Sequence, residues 1–225
     1  WFVNLADILK HYDIMGLLKK IFGKPNKETD EQFEKELEQI KSGEINKVYP
    51  ILKPGDWIGV KSGCVKQTLL GTPENPQLVL GFGYDAPANF VFIRHADLEG
   101  KAPEAIIKNA YENLENFEQE FEVSSTANGK ILTASGKDFS SEKILCKNHM
   151  LKAHQLLNSN ELLVSIPRRR CMMVVSRQSG RELLGTFVTL HKNAWHDDSY
   201  ENAPIINAIF VIKDGEIEGI IPVEK

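Results

Sequence analysis

Leu162-Leu163-Val164-Ser165-Ile166-Pro167-Arg168-Arg169-Arg170-Cys171-Met172-Met173-Val174-Val175-Ser176 is the stretch that decides how this chain folds. Two short runs rich in β-branched and other apolar residues flank a proline and three arginines, the pattern of two strands joined by a polar turn. A helix follows near Gly180, where Ser179 and Glu182 stand at capping-box spacing and Leu184, Phe187, Val188, His191 and Trp195 share one face. Upstream, residues 121–126 and 130–135 flank Asn128-Gly129 before a helix near Ser141 that carries Ile144, Leu145, Met150, Ala153, Leu156 and Leu157. Earlier still, runs at 65–70, 78–84 and 89–94, turning at 85–87, precede a helix from Pro103 with Ile106, Ile107, Ala110, Tyr111 and Leu114 on its buried face. Residues 205–212 and 216–221, around Asp214-Gly215, close the pattern. The three helix starts fall roughly 40 residues apart. No residue-level self-similarity accompanies that spacing, so it is not read as duplication. The expectation is an α+β fold: a mainly antiparallel sheet of successive hairpins alternating with single helices, a ββα rhythm, with the helices on one face.

Outside this body, residues 1–46 read as a helical extension and linker, and 47–225 as a single α+β domain. Trp1, Leu5, Ile8 and Tyr12 fall on one helical face and form a candidate partner-docking surface. Met15 begins a stretch like a translation start, so residues 1–14 read as a leader, an upstream extension or part of a longer protein. Lys24 to Asp30 is polar and linker-like; Phe33, Leu37 and Ile40 then make a narrow stripe on a short helix that Gly43 ends. The basic amphipathic run at 17–22 is too short for a stable lipid anchor, and Lys20 stands where a myristoylation signal needs Ser or Thr.

Composition is that of an ordinary globular protein: 225 residues, 42% hydrophobic, 26% charged, formal net charge −4. Cys64, Cys146 and Cys171 are odd in number, widely spaced and outside any CxxC, which supports neither a disulfide framework nor structural zinc and fits a reducing cytoplasm. No run approaches the ~20 apolar residues a membrane span needs, and neither a cofactor nor a metal is expected.

Several motifs lack the context their chemistry requires. Gly81-Phe82-Gly83-Tyr84-Asp85-Ala86 matches a dinucleotide fingerprint, but a strand rather than a helix follows it. Ser140 and Lys143 form S-x-x-K without its companion motifs, and Ser141 reads as a helix N-cap with Phe139 stapled to Ile144. Cys146, His149 and His154 share one helix, yet the two histidines lie about 140° apart around it. His191 reads as a core or boundary residue. His196, Asp197 and Asp198 are weak acid/base candidates on a polar loop.

Arg168, Arg169 and Arg170, with Arg177 and Arg181 following, are the most informative polar feature, because guanidinium forks favour carboxylates and phosphates. Residues 141–195 carry nine Lys/Arg against three Asp/Glu, whereas 99–122 hold seven Glu against two Lys. An anionic ligand or an acidic protein surface suits this basic tip. Nucleic acid does not, since the domain is not basic overall and lacks an aromatic-interleaved basic motif.

The order Asp138-Phe139-Ser140-Ser141-Glu142-Lys143-Ile144-Leu145, a helix, then Leu162-Leu163-Val164-Ser165-Ile166-Pro167-Arg168 resembles the C-terminal half of the YtpQ-like bacterial proteins, a family of unknown function. Leu52-Lys53-Pro54-Gly55-Asp56-Trp57 and Phe90-Val91-Phe92-Ile93 are similar too, so the resemblance covers about residues 48–222. It implies a bacterial cytosolic α+β protein and carries over no activity or catalytic residue; the Arg-Arg-Arg tip and residues 1–46 lie outside the pattern. The expectation is a non-catalytic protein-binding module, in one concrete form a toxin-neutralising (immunity-like) protein. The rival is an enzyme or binder of a phosphorylated or carboxylated small molecule, with Arg168 to Arg170 as anion clamp and His196, Asp197 and Asp198 as acid/base groups.

Overall fold

A computed structural model describes residues 27–98, 102–197 and 203–224. Trp1, Leu5, Ile8 and Tyr12, and also Asp198, lie outside the described residues. The chain divides into two compact units, residues 1–46 with 86–90, and residues 47–85 with 91–225.

In the first unit α1 (Lys27–Ser42) begins inside the stretch expected to be a linker and ends at Gly43, whose φ of 82° only glycine adopts freely. Its anchor is Glu36, which is fully buried. The carboxylate accepts hydrogen bonds from the Ala88 amide (2.7 Å), the Asn89 side chain (2.7 Å) and Gln32 (3.2 Å). Burial alone would raise its pKa; the three donors outweigh burial and hold it below the usual carboxylate value.

The second unit has antiparallel sheets and helices, the α+β class. A smaller sheet orders β1 (Val48–Pro54), β3 (Pro76–Asp85) and β2 (Lys66–Gly71), with β4 (Phe90–Phe92) also on β3. Gly81 is in β3 because Trp57 and Phe92 lie across it: a Cβ there would meet both rings at 2.8 Å. That close approach accounts for the first glycine of the apparent dinucleotide fingerprint, and β3 runs through the rest of the motif without opening a helix.

Among the described residues the larger sheet has six strands, β5 (Glu122–Thr126), β6 (Gly129–Ser135), β7 (Glu161–Ser165), β8 (Cys171–Ser176), β9 (Ala208–Lys213) and β10 (Glu216–Pro222). Their spatial order is β10-β9-β7-β8-β6-β5. Sequential pairs form the anticipated hairpins, and β6–β8 and β7–β9 pairing joins them. Alternation sorts the side chains. Leu132, Leu162, Val164, Met172, Val174, Phe210 and Ile212 face inward and share one cluster with Leu52, Leu78, Leu80 and Phe82 of the smaller sheet. The inward residues also meet Ala110 of α2 (Pro103–Asn116) and Met150 and Ala153 of α3 (Lys147–Leu157). Ile131, Leu163, Met173, Val175, Ile209 and Val211 face the other way, under Leu183 and Phe187 of α4 (Arg181–His196). Helices expected on one face therefore cover both faces of the larger sheet. The physical reason is the near-continuous apolar character of β7 and β8, which needs burial on two sides. Each fully buried Leu, Val or Phe contributes about 1.5–3 kcal/mol to that packing.

Neither expected cap forms. Ser141 is in right-handed helical conformation ahead of a short 3-10 turn, residues 142–145, and the N-cap of α4 is Gly180 without a side-chain bond. Tertiary partners claim Ser141 instead: its hydroxyl donates to the Arg168 carbonyl (2.9 Å) and accepts from the Cys171 amide (3.2 Å). Phe139, at φ 61°, stacks on Tyr49 with ring centres 4.2 Å apart.

Candidate functional site

The turn between β7 and β8 separates the three arginines into three roles. Arg168 is 4% exposed and its guanidinium donates from Nε to the Ala194 carbonyl (2.7 Å) and from Nη2 to the Trp195 carbonyl (2.8 Å). Those carbonyls belong to the last turn of α4, where the helix has no acceptors' partners of its own and the dipole favours a cation. Arg168 is thus a cap on α4 in trans. Arg170 sits at φ 60° and its guanidinium binds the Asp138 carboxylate, at 2.7 Å from Nε. Arg169 is half-buried, and its Nε is sealed from water with no hydrogen-bond partner among the described residues. Backbone bonds from the Arg169 amide to the Ala203 carbonyl (3.3 Å) and from the Ile205 amide to the Pro167 carbonyl (2.8 Å) hold the turn itself.

Around Arg169 the fold assembles charges that no sequence spacing announces. Lys53 of β1 lies over the Trp57 and Phe92 rings, 5.9 and 5.4 Å from their centres. Burial first, and then the neighbouring Arg169 cation, pull its pKa down to about 8, while Glu142 pulls the other way. Glu142 is 1% exposed; its Oε1 accepts from the Leu52 amide (3.0 Å), satisfying a donor on the edge of β1, and its Oε2 has no partner. Burial pushes the Glu142 carboxyl up, against the Leu52 bond and the Arg169 charge. Asp85 is also raised, by burial and then by Asp138, with Arg169, Lys47 and Arg170 opposing. The arrangement is two half-buried cations facing a poorly solvated carboxyl, suited to holding a carboxylate or phosphate. Lys53, Asp85, Asp138 and Glu142 were not singled out from sequence. Leu52 and Glu142 are 90 positions apart, so no local pattern could join them.

The other candidates lie elsewhere. Arg177 pairs with Glu161 (2.9 Å) and Arg181 is exposed at the start of α4; both are across the six-residue β8 from the tip, roughly 20 Å along the strand. His196 is exposed at the end of α4 and Asp197 is the C-cap, which places them beside the helix turn that Arg168 caps. A groove of about 490 Å³ lies at the end of α2 and the start of α3, with Glu115, Phe117, Lys143, Asn148, His149 and Lys152 in its wall. Neither the tip arginines nor His196 or Asp197 line it.

Groups with catalytic chemistry are used in packing. Lys143, 4% exposed, donates from Nζ to the carbonyls of Leu114 (3.0 Å), Glu115 (3.2 Å) and Phe117 (3.1 Å), capping α2 as Arg168 caps α4. Ser140, its S-x-x-K companion, bonds Gln119 (3.0 Å) and the Lys137 carbonyl (2.8 Å) instead. His154 Nδ1 is 2.7 Å from the Ser159 carbonyl at the end of α3, and burial pushes the Cys146 thiol up to about 12. Among the described residues no group of three or more His, Cys, Asp or Glu could hold a metal ion. Among them, too, no helix is long and apolar enough to cross a membrane.

No family model, curated protein or solved structure matches this chain.

Proposed function

We propose that this chain is a non-catalytic protein-binding module, toxin-neutralising in its most concrete form, that receives a carboxylate of an acidic partner on Arg169 and Lys53. The resemblance to the YtpQ-like proteins makes a bacterial cytosolic setting part of the same proposal. One observation carries it: of the three tip arginines, Arg169 alone keeps a buried Nε without a partner, beside a lysine whose charge it destabilises. An incoming anion on the exposed part of the Arg169 guanidinium and on Lys53 relieves that repulsion, and a charge-assisted bond of this kind contributes about 1.5–3 kcal/mol. Ser165 and His191, by contrast, are fully buried, out of reach of a substrate.

The test is affinity capture read by mass spectrometry, with Arg169→Ala and Arg177→Ala beside the wild type. Loss of a stoichiometric acidic protein by Arg169→Ala, roughly tenfold or more in affinity, with retention by Arg177→Ala, is the expected result. Equal capture by both variants overturns the reading. A co-purifying small anion in place of a protein moves the same site to the small-molecule alternative.

A further inference from the structure

The edges of the two sheets are not protected alike. β1 contains Pro50 and Pro54, and its Leu52 amide and Val48 carbonyl are taken by Glu142 (3.0 Å) and Asn113 (3.0 Å). In the smaller sheet, β2 begins at Lys66 and shifts register twice, between Thr68 and Leu70 and between Leu70 and Gly71. On the larger sheet β10 is bulged between Ile217 and Gly219, carries Glu216 and Glu218, and ends at Pro222. Charges, prolines and bulges are the devices that stop a sheet edge from pairing with another chain.

β5 has none of these except one terminal Glu. Its sequence Glu122-Val123-Ser124-Ser125-Thr126 pairs with β6 in unbroken register, all five residues are exposed, and among the described residues it is the last strand in its sheet. The loop to β6 is two residues long, Ala127 and Asn128, so Thr126 and Gly129 form the hydrogen-bonded closing pair. Alternation from that pair directs the Ser124 and Glu122 backbone groups at β6. It leaves the N–H and C=O of Val123 and Ser125 pointing off the edge.

We propose that β5 pairs antiparallel with β5 of a second copy of this chain about a two-fold axis at Ser124, making one continuous sheet across a symmetric dimer. The strand is self-complementary about that axis. Val123 meets Ser125 of the second copy as a hydrogen-bonded pair on each side, Ser124 meets its own counterpart, and Glu122 meets Thr126, so no like charges stand opposite. The charges flanking the strand agree: Glu118, exposed ahead of β5, runs toward the hairpin tip of the second copy, where Lys130 is exposed, while Glu120 is held by Lys152 of its own chain (2.7 Å).

The geometry gives a selective test. Ser125→Pro removes an outward N–H and takes no bond from the β5–β6 ladder, so the fold tolerates it as edge strands tolerate proline. Ser124→Lys sets two ammonium groups against each other on the axis. Sedimentation equilibrium over a protein concentration series is expected to show a wild-type dimer whose dissociation constant rises at least tenfold in each variant, with far-UV circular dichroism unchanged. With oxidised glutathione as the two-electron oxidant, Ser124→Cys is expected to form a disulfide-linked dimer, releasing reduced glutathione, and Val123→Cys is not, because only position 124 faces itself across the axis. If Ser125→Pro fails to fold, Ser124→Lys and Ser124→Cys decide. A wild type monomeric at every concentration, or dimers indifferent to both substitutions, overturns the proposal and leaves this edge to a foreign extended peptide.

Discussion

Two buried histidines, one on each side of the six-stranded sheet, are treated in opposite ways. On α4, His191 is fully buried with a partner at each ring nitrogen: Ser165 Oγ at Nδ1 (2.7 Å) and Asn207 Oδ1 at Nε2 (3.0 Å). On α3, His149 is 7% exposed and lies flat on Phe121, ring centres 4.2 Å apart, with its Nε2 sealed and unpartnered. Burial pushes both pKa values down. His149 falls to about 4, with Lys143 and Lys152 adding to burial; for His191, Lys192 acts with burial and the Asn207 bond against it. The contrast separates two uses of a polar ring in a core. One is an address that fixes where a helix docks on a sheet, because only one position of α4 satisfies all three groups. The other is an aromatic slab with a nitrogen that gains nothing from its surroundings.

Removing each ring breaks the comparison most directly. His191→Ala leaves a cavity and deprives Ser165 and Asn207 of partners, and is expected to cost about 2–4 kcal/mol in urea unfolding. His149→Ala loses stacking against Phe121 but orphans nothing, and should cost distinctly less. Equal losses would show that the hydrogen bonds to His191 contribute no more than its ring contacts.

How much of this was legible beforehand follows from the range of each interaction. Strand alternation and helix periodicity act within a few residues, so the hairpins and the core placement of His191 among Phe187, Val188 and Trp195 were readable. The two-sided burial was written in the unbroken apolar runs of β7 and β8, yet a count of helices per hairpin pointed to one face. Caps were misread because Ser141 and Ser179 satisfy a local pattern, and for Ser141 a partner 27 positions away, the Arg168 carbonyl, takes the hydroxyl instead. The same separation hid the division of labour among Arg168, Arg169 and Arg170: three identical neighbours in sequence differ only in what the distant chain brings to each. Nothing local could have drawn Lys53 or Glu142 into the site.

Acid sharpens the comparison. A base whose folded pKa is lowered leaves the unfolded chain holding more protons, so stability is full above the unfolded value and lost as pH falls toward the folded one. For His149 that window runs from about 6.5 to about 4 and is worth at most about 3 kcal/mol. His149→Phe keeps a flat ring on Phe121 and has no proton to take up. Its stability from urea midpoints is expected to decline less than the wild type's between pH 6.5 and 4. The raised Glu142 carboxyl works in the opposite direction but equally in both proteins, so the difference curve isolates His149. Superimposable pH profiles would mean that the unpartnered nitrogen is reached by water after all.

The smallest effect tests the address itself. Asn207 Nδ2 donates to the Val223 carbonyl (3.0 Å), which orients the amide so that Oδ1 faces His191 and can only accept. Nε2 therefore carries the proton, Nδ1 is the acceptor, and Ser165 must donate. Ser165→Ala deletes that donor without touching the Asn207 side, and should cost about 1 kcal/mol, a fall in Tm of about 2–4 °C for a chain this size. Nitrogen NMR of the imidazole is expected to show the Nε2-protonated tautomer in both proteins, with the Nδ1 resonance moving when its donor is lost. A neutral substitution with an unmoved Nδ1 resonance would dissolve the contrast on the outer face, leaving His191, like His149, a ring held by packing alone.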